Sequence, residues 1–272
     1  MSRTKGAPPR RQIDGPSLFG LPLAFAVVVL AQVFEGGSVR SLWQPTAAMV
    51  VFGGTAAAVL VSCPLETVVQ TLVAVGHVFR KRSHTRQMEA TVRQLLAYAI
   101  EARRRGIVAL EPELDRTRDR FLRNALTLAV DGTHPNLARH ILEIENQAHR
   151  AVAEAPADVL ETAAGYTPTL GILGAVLGLI HVMENLNEPA KLGPGIAVAF
   201  VATVYGVGAA NLVLLPLATR LRGLARDGAL HRELVIEGVA ALQEGLNPRL
   251  IEQKLLGFVT PAREPARTMR AA

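Results

Sequence analysis

Four stretches of this sequence contain no Asp, Glu, Lys or Arg: Ser17 to Phe34, Pro45 to Cys63, Tyr166 to Met183 and Gly195 to Leu215. Each holds about 18 to 21 residues, close to the roughly 20 that an α-helix needs to cross about 30 Å of hydrocarbon at 1.5 Å per residue. Four such runs in 272 residues exceed what the remaining polar sequence could enclose as buried core helices. The pattern predicts an all-α integral membrane protein with four transmembrane helices. A hydrophobic content of 50% with only 4% aromatics fits that class. Arg10 and Arg11 ahead of the first run give it the outline of a signal peptide. The run is longer than a usual h-region, however, and Gly36-Gly37 is a poor cleavage signal, so it reads as a retained span.

Orientation follows from the cations. The first tail carries Arg3, Lys5, Arg10 and Arg11, and nine more basic residues follow the fourth run. The 35–44 and 184–194 loops carry one each, Arg40 and Lys191. This bias predicts both termini in the cytoplasm of a multi-pass protein of the inner membrane. The connection between spans two and three is then cytoplasmic too, and its 14 basic and 13 acidic residues make it a near-neutral helical lobe. The expected organisation is a disordered tail over 1–16, spans at 17–34, 45–63, 166–183 and 195–215, a lobe over 64–165, and a C-terminal helix and tail over 216–272. Residues 260–272 read as disordered. Excess positive charge beside the membrane suits anionic lipid and not nucleic acid. Cys63 stands alone, which excludes an intramolecular disulfide.

Within the lobe, apolar residues recur at helical spacing in Val92, Leu95, Leu96, Ala99 and Ile100, and again in Phe121, Leu122, Ala125, Leu126 and Ala129. The last lobe helix should run from about Asn136 into the third span. A separate amphipathic helix through Leu230, Leu234 and Val239 should follow the fourth span, with a turn near Asn247-Pro248.

The chain has no phosphate-binding Gly-Lys-Ser/Thr loop, no metal-spaced His/Glu cluster and no Gly-x-Ser-x-Gly elbow, so the sequence points away from an enzyme and calls for no cofactor. The spans also lack the ionisable groups that mark ion and proton pathways. His181 lies within a turn of the end of span three, as an interfacial histidine does. If the protein conducts ions, the carboxylate must come from a partner. The same lack disfavours a small secondary transporter.

Two spans carry small-residue stripes. Pro168, Gly171, Ala175 and Gly178 share one face, with Gly174-x-x-x-Gly178 beside it, and Ala199, Thr203, Gly206 and Ala210 repeat the design. Such stripes let helices approach closely where lipid supplies no hydrophobic drive for association. Thr203 places one hydroxyl on that face. Pro168 and Pro216 each remove a backbone donor and should bend or end their helices, as packing features or as a hinge pair.

At these residues the sequence resembles the MotA/TolQ/ExbB superfamily, over residues 17 to about 256. The resemblance is carried by Phe34-Glu35-Gly36-Gly37, Phe52-Gly53-Gly54-Thr55 and Cys63-Pro64-Leu65 in the first half. In the second half it is carried by Pro168 to Gly174, Gly178-Leu179-Ile180, Leu192 to Phe200, Ala202-Thr203-Val204-Tyr205-Gly206, Asn211 and Pro216-Leu217-Ala218. Four spans favour its flagellar-stator branch over the three-span members. Gly208 stands where that branch carries a larger aliphatic.

The resemblance implies a stator subunit working as a homopentamer around two copies of a MotB-like, single-span, peptidoglycan-binding partner whose Asp carries the ion. It places an ion pathway at Thr203, Ala175 and Ala202. Sodium-driven relatives tend to carry Thr where this chain has Ala175 and Ala202, so H⁺ is the expected ion in preference to Na⁺. It also implies that Arg103 and Glu111 face the rotor protein FliG, although an Arg cluster at a solvated helix end reads equally as ordinary surface. The alternative within the superfamily is an energiser of another process, such as outer-membrane transport or gliding.

Overall fold

The computed structural model describes residues 15–78 and 84–259. Most of the tail expected to be disordered, 1–14, lies outside these residues, as do 79–83 and 260–272. The described residues are helical almost throughout and include no strand. Three helices are long and apolar enough to cross a membrane, spanning Val39–Ser62, Pro135–Glu184 and Leu192–Gln243. A shorter apolar helix covers Pro22–Phe34.

Two compact units divide the chain. The first comprises residues 1–82 and 153–223. Its first helix, α1, spans Gly15–Phe34, so the last two positions of the expected tail are already helical. Helix α2 (Pro45–Ala48) passes through a π-helical turn, Met49–Gly53, into α3 (Gly54–Ser62). Pro45 opens α2, a position where its missing donor costs nothing. Helix α4 (Leu65–Val78) follows. The second half of this unit is built on the helix Pro189–Gly208 and on parts of two longer helices, Pro135–Glu184 and Leu215–Gln243.

Helix α8 spans Pro135–Glu184 as 50 continuous residues, which joins the last lobe helix to the third span as the periodicity predicts. Pro156 and Pro168 both lie inside it, so Pro168 does not end its helix. Helix α9 (Pro189–Gly208) continues through a second π turn, Ala209–Leu214, into α10 (Leu215–Gln243). Pro216 is therefore the second residue of α10 and does not end the helix either. Just past a wide turn the backbone has already left the regular hydrogen-bond ladder, so a missing donor is tolerated there. The amphipathic segment through Leu234 and Val239 is therefore not a separate helix but the continuation of the apolar helix that begins at Leu192.

The first unit's core is mostly alanine and valine, with three leucines in one cluster. Ala47, Val51, Val201 and Ala202 form one cluster, and Val78, Ala157, Leu160, Leu217, Ala218 and Leu221 another. Leu23, Phe25, Leu30 and Phe34 on α1 stay exposed, as does Phe200 on α9. That is the surface expected of helices whose surroundings are lipid or other spans.

The second unit comprises 83–152 and 224–272. It holds α5 (His84–Arg105), α6 (Glu111–Arg116), α7 (Arg120–Val130), the first part of α8, the last part of α10, and α11 (Pro248–Val259). Asp119 caps α7, accepting from the amides of Phe121 at 2.9 Å and Leu122 at 3.2 Å. The core is leucine-rich: Leu95, Leu110, Leu122, Leu126, Leu142, Leu234, Ile251 and Leu255 are all under 2% or close to it in exposure.

Candidate functional site

In the first unit α8 meets α9 along glycine. A Cβ added at Gly206 would lie 2.8 Å from the Thr167 carbonyl oxygen and 3.0 Å from the Cα of Gly171. One added at Gly171 would lie 2.9 Å from the Ala202 carbonyl oxygen, and one at Gly178 would lie 2.8 Å from the Ala199 nitrogen. At Gly174 the nearest atom is the Cβ of Ala202, at 2.8 Å. These approaches leave no room for a side chain, and they convert the absence of bulk into continuous backbone contact.

The register of this seam differs from the stripe read in the sequence. On α8 the fully buried positions are Thr167, Gly171, Gly174 and Gly178, while Pro168 and Ala175 are half-buried at the margin. On α9 and the π turn that continues it the buried positions are Gly195, Ala199, Val201, Ala202, Gly206 and Ala210, with Thr203 half-buried beside them. Of the three ion-pathway positions, Ala202 is wholly inside the seam against Gly174, and Thr203 and Ala175 remain at its edge. The Thr203 hydroxyl lies 3.5 Å from the Ala199 carbonyl, a long contact that leaves it free to bind elsewhere. Pro216 is exposed.

Two further hydroxyls went unread in the sequence. Thr167 Oγ1 donates to the Ala163 carbonyl at 2.5 Å, and Thr55 Oγ1 donates to the Val51 carbonyl at 2.6 Å. The two oxygens are 3.5 Å apart in a buried setting. Each is satisfied within its own helix turn, so the pair adds polarity to the seam without an orphaned group. The available signal was Thr167 standing four residues before Gly171. Tyr205 ties α9 to the segment before α2: its hydroxyl donates to the Leu42 carbonyl and accepts from the Gln44 amide at 3.3 Å.

Just beyond the apolar windows, Arg222 of α10 grips α8. It donates to Glu161, with one contact at 2.9 Å, and to Asp158 at 2.7 Å. The Arg222 hydrogen bond holds the Glu161 carboxyl below its usual range.

In the second unit Arg103 and Glu111 are exposed and take no part in the ion pairs found among the described residues, whereas Arg105 is held by Glu101 at 3.1 Å. Gly106, at φ +85°, breaks the chain between α5 and the short 3₁₀ turn Ile107–Leu110, a conformation that suits glycine. Arg103 to Arg105 close α5 and Glu111 opens α6, so each charge also sits at the helix end whose partial charge favours it. Deeper in the unit, Glu237 of α10 is bound by Arg139 of α8 and Lys254 of α11, each at 2.5 Å. Burial pushes the Glu237 carboxyl up, but the two cationic hydrogen bonds outweigh it and hold it below its ordinary range. His231 is buried with Nε2 2.9 Å from the Thr91 hydroxyl, and desolvation pushes its pKa down. Among the described residues no group of three His, Cys, Asp or Glu side chains could hold a metal ion.

Residues 113–233 match the MotA/TolQ/ExbB proton channel family, and residues 18–106 match the Motility protein A N-terminal family. Motility protein A of Bacillus subtilis (strain 168) is 34% identical over 252 residues, which is 93% of each chain. The structure of C. jejuni MotAB aligns with a TM-score of 0.83 at 26% identity, covering 95% of this chain and 100% of that one. The flagellar MotAB stator complex from Bacillus subtilis aligns with a TM-score of 0.81 at 34% identity, covering 89% of this chain and 95% of that one.

Proposed function

The chain belongs to the MotA/TolQ/ExbB proton channel family, and from that premise we infer that it is the stator subunit of a flagellar motor, which turns ion flow into torque. The observation that carries this reading is the correspondence with Motility protein A along nearly the whole length of both chains.

The geometry supports a division of labour. Neither half of the α8–α9 seam offers an acid or base, so the titrating carboxylate comes from a MotB-like partner with one transmembrane helix. A protonated Asp can cross an apolar seam, whereas the ionised form is costly there. Thr203 and Ala175, at the open margin, form the wall that the partner's Asp passes, and buried Ala202 shapes that wall from behind. Helix α1, at 20 residues and about 30 Å, is the first span and brings the number of spans to four. The chain sits in the inner membrane with both termini and the 64–165 lobe in the cytoplasm. Five copies enclose two partner helices and rotate around them, and the lobe drives FliG through Arg103 and Glu111. Pro168 and Pro216 act as hinges in the pathway helices, and the cationic flanks bind anionic lipid.

Expression with the cognate partner gene in a motile host lacking its own stator tests the function: swimming and ion flux should both return. Failure with a partner that assembles normally would refute it. Labelling checks the topology: a Cys at position 120, in a Cys63→Ala background, should stay silent to an impermeant reagent applied outside intact cells. The driving ion is H⁺. Na⁺ needs several oxygen ligands to replace its hydration shell, and the margin offers the Thr203 hydroxyl alone where sodium-driven relatives add threonines. Flux that collapses when Na⁺ is withdrawn at constant pH and potential would overturn this choice.

A further inference from the structure

We propose that a groove beside Arg103 seats one large apolar side chain of the rotor partner, so that the contact is anchored by burial as well as by charge. This rests on the rotor reading of Arg103 and Glu111 above. The groove encloses about 200 Å³ within the second unit, between the end of α5 and the turn joining α10 to α11. Its walls include Ala102, Ile107, Leu246 and Ile251, and its only polar side chains are Arg103 and Gln243. Gln243 is already engaged, its Nε2 donating to the Thr133 carbonyl at 3.0 Å. Arg103 is the one polar group there without a task.

Size limits the occupant. Pockets for metabolites and drug-sized ligands run to about 300–1,000 Å³, whereas an apolar cavity of roughly 150 Å³ takes benzene. One leucine- or phenylalanine-sized side chain fits. Charge limits it further. Arg103 and Arg104 are exposed cations at the end of α5, while Val108, 61% exposed, adds an apolar patch one residue from Ile107. Glu111 follows the same 3₁₀ turn. The complementary surface is a helix edge carrying an apolar side chain next to a carboxylate, with a cation within reach of Glu111. Apolar anchors flanked by charge are the usual source of affinity where the ion pairs themselves are exposed and weak.

The test fills the groove after folding. Ala102→Cys in a Cys63→Ala background is purified as the complete stator complex with its partner, then treated with benzyl methanethiosulfonate. Binding of the purified rotor protein from the same motor is measured before treatment, after it, and after reduction with dithiothreitol. We expect benzylation to weaken binding about tenfold or more and reduction to restore it, while Arg103→Glu costs only a few-fold. Unchanged binding after benzylation, with loss in Arg103→Glu, overturns the groove and leaves a contact of charge alone. Unchanged binding in both overturns the rotor reading together with the groove. A complex that changes size on benzylation assigns the groove to a contact between copies of this chain and likewise overturns the proposal.

Discussion

The two units of this protein are held together by opposite means, although α8 and α10 supply residues to both. The first buries mainly alanine, valine and glycine, among them Ala47, Val51, Ala163, Ala199, Val201, Ala202 and Ala218, with leucine confined to Leu160, Leu217 and Leu221. The second buries leucine, isoleucine and phenylalanine around Leu95, Leu126 and Leu234. In water a large apolar side chain stabilises by leaving solvent, at about 25 cal/mol per Å². In hydrocarbon that drive is absent, and helices gain only by coming close enough for dispersion and backbone contact, which bulk prevents. Composition of the buried set is thus a record of the solvent each unit meets.

The sharpest way to break that contrast is to add volume to the seam. Gly206→Val places a branched side chain where a single Cβ already falls 2.8 Å from the Thr167 carbonyl and 3.0 Å from the Gly171 Cα. Both neighbours are backbone and cannot rotate away. We expect loss of assembly and complete loss of swimming, read by native gel and soft-agar motility. Gly208→Val serves as the control, because no atom lies within 4 Å of a Cβ there. Equal damage from both would show that the seam is not packed as described.

Removing volume should do the reverse. Leu126→Ala in the second unit empties a fully buried site and should cost about 2–5 kcal/mol, seen as faster proteolysis of that unit. Ala202→Gly in the seam removes one methyl and should cost about 1 kcal/mol or less beyond the backbone effect. If the two changes proved equally costly, the distinction between burial by solvent exclusion and burial by close approach would fail.

Acid distinguishes the four apolar windows from the second unit in a third way, since His181 is the one group in those windows that titrates on the acid side of neutrality while the second unit holds His231 and Glu237. Desolvation first, then His84 and Arg232, depress the His231 pKa against the opposing pull of Asp119. A depressed histidine favours the neutral fold. Its contribution is complete above the unfolded value of about 6.5 and is lost as pH falls from there toward the folded value. Glu237 is depressed as a carboxylate, so its contribution is present above the usual carboxylate range and is lost only lower, through its folded value. Opening of the second unit, read as hydrogen exchange corrected for the intrinsic rate at each pH, should therefore rise as pH falls from about 7 to about 5.5. His231→Gln, which can still meet the Thr91 hydroxyl, should flatten that rise; an unaltered profile would remove His231 as the cause.

Legibility in the sequence follows the same division. The long α8 could be read because helical periodicity passes without a break from Asn136 into a charge-free run. The seam's register could not, because stripes at three- and four-residue spacing lie side by side, and only the facing helix decides between Thr167–Gly171–Gly174–Gly178 and its neighbour through Pro168 and Ala175. Pro216 reads as a bend or a helix end, and the choice between them is hidden because the sequence does not announce the π turn before it. The Arg139–Glu237–Lys254 network joins three helices distant in sequence, and its one local trace is a glutamate inside the apolar run Leu234 to Val239.

The smallest effect belongs to the exposed charges. Arg103 and Glu111 are eight residues apart across the Gly106 turn, both in solvent, and each is also favoured by its own helix end. Exposed pairs contribute about 0–1 kcal/mol, so neither substitution should unfold the unit. Glu111→Lys should assemble and conduct ions yet turn the rotor poorly, because the nearest acid, Glu113, is half-buried and held by Arg116 at 2.6 Å. Arg103→Glu should act more mildly, since Arg104 can stand in for it. Restored swimming on charge reversal in the rotor protein would establish direct contact. The Arg103→Glu, Glu111→Lys double variant, assayed at low ionic strength where screening is least, reverses the local polarity outright. Normal swimming there would reduce the pair to helix-end chemistry.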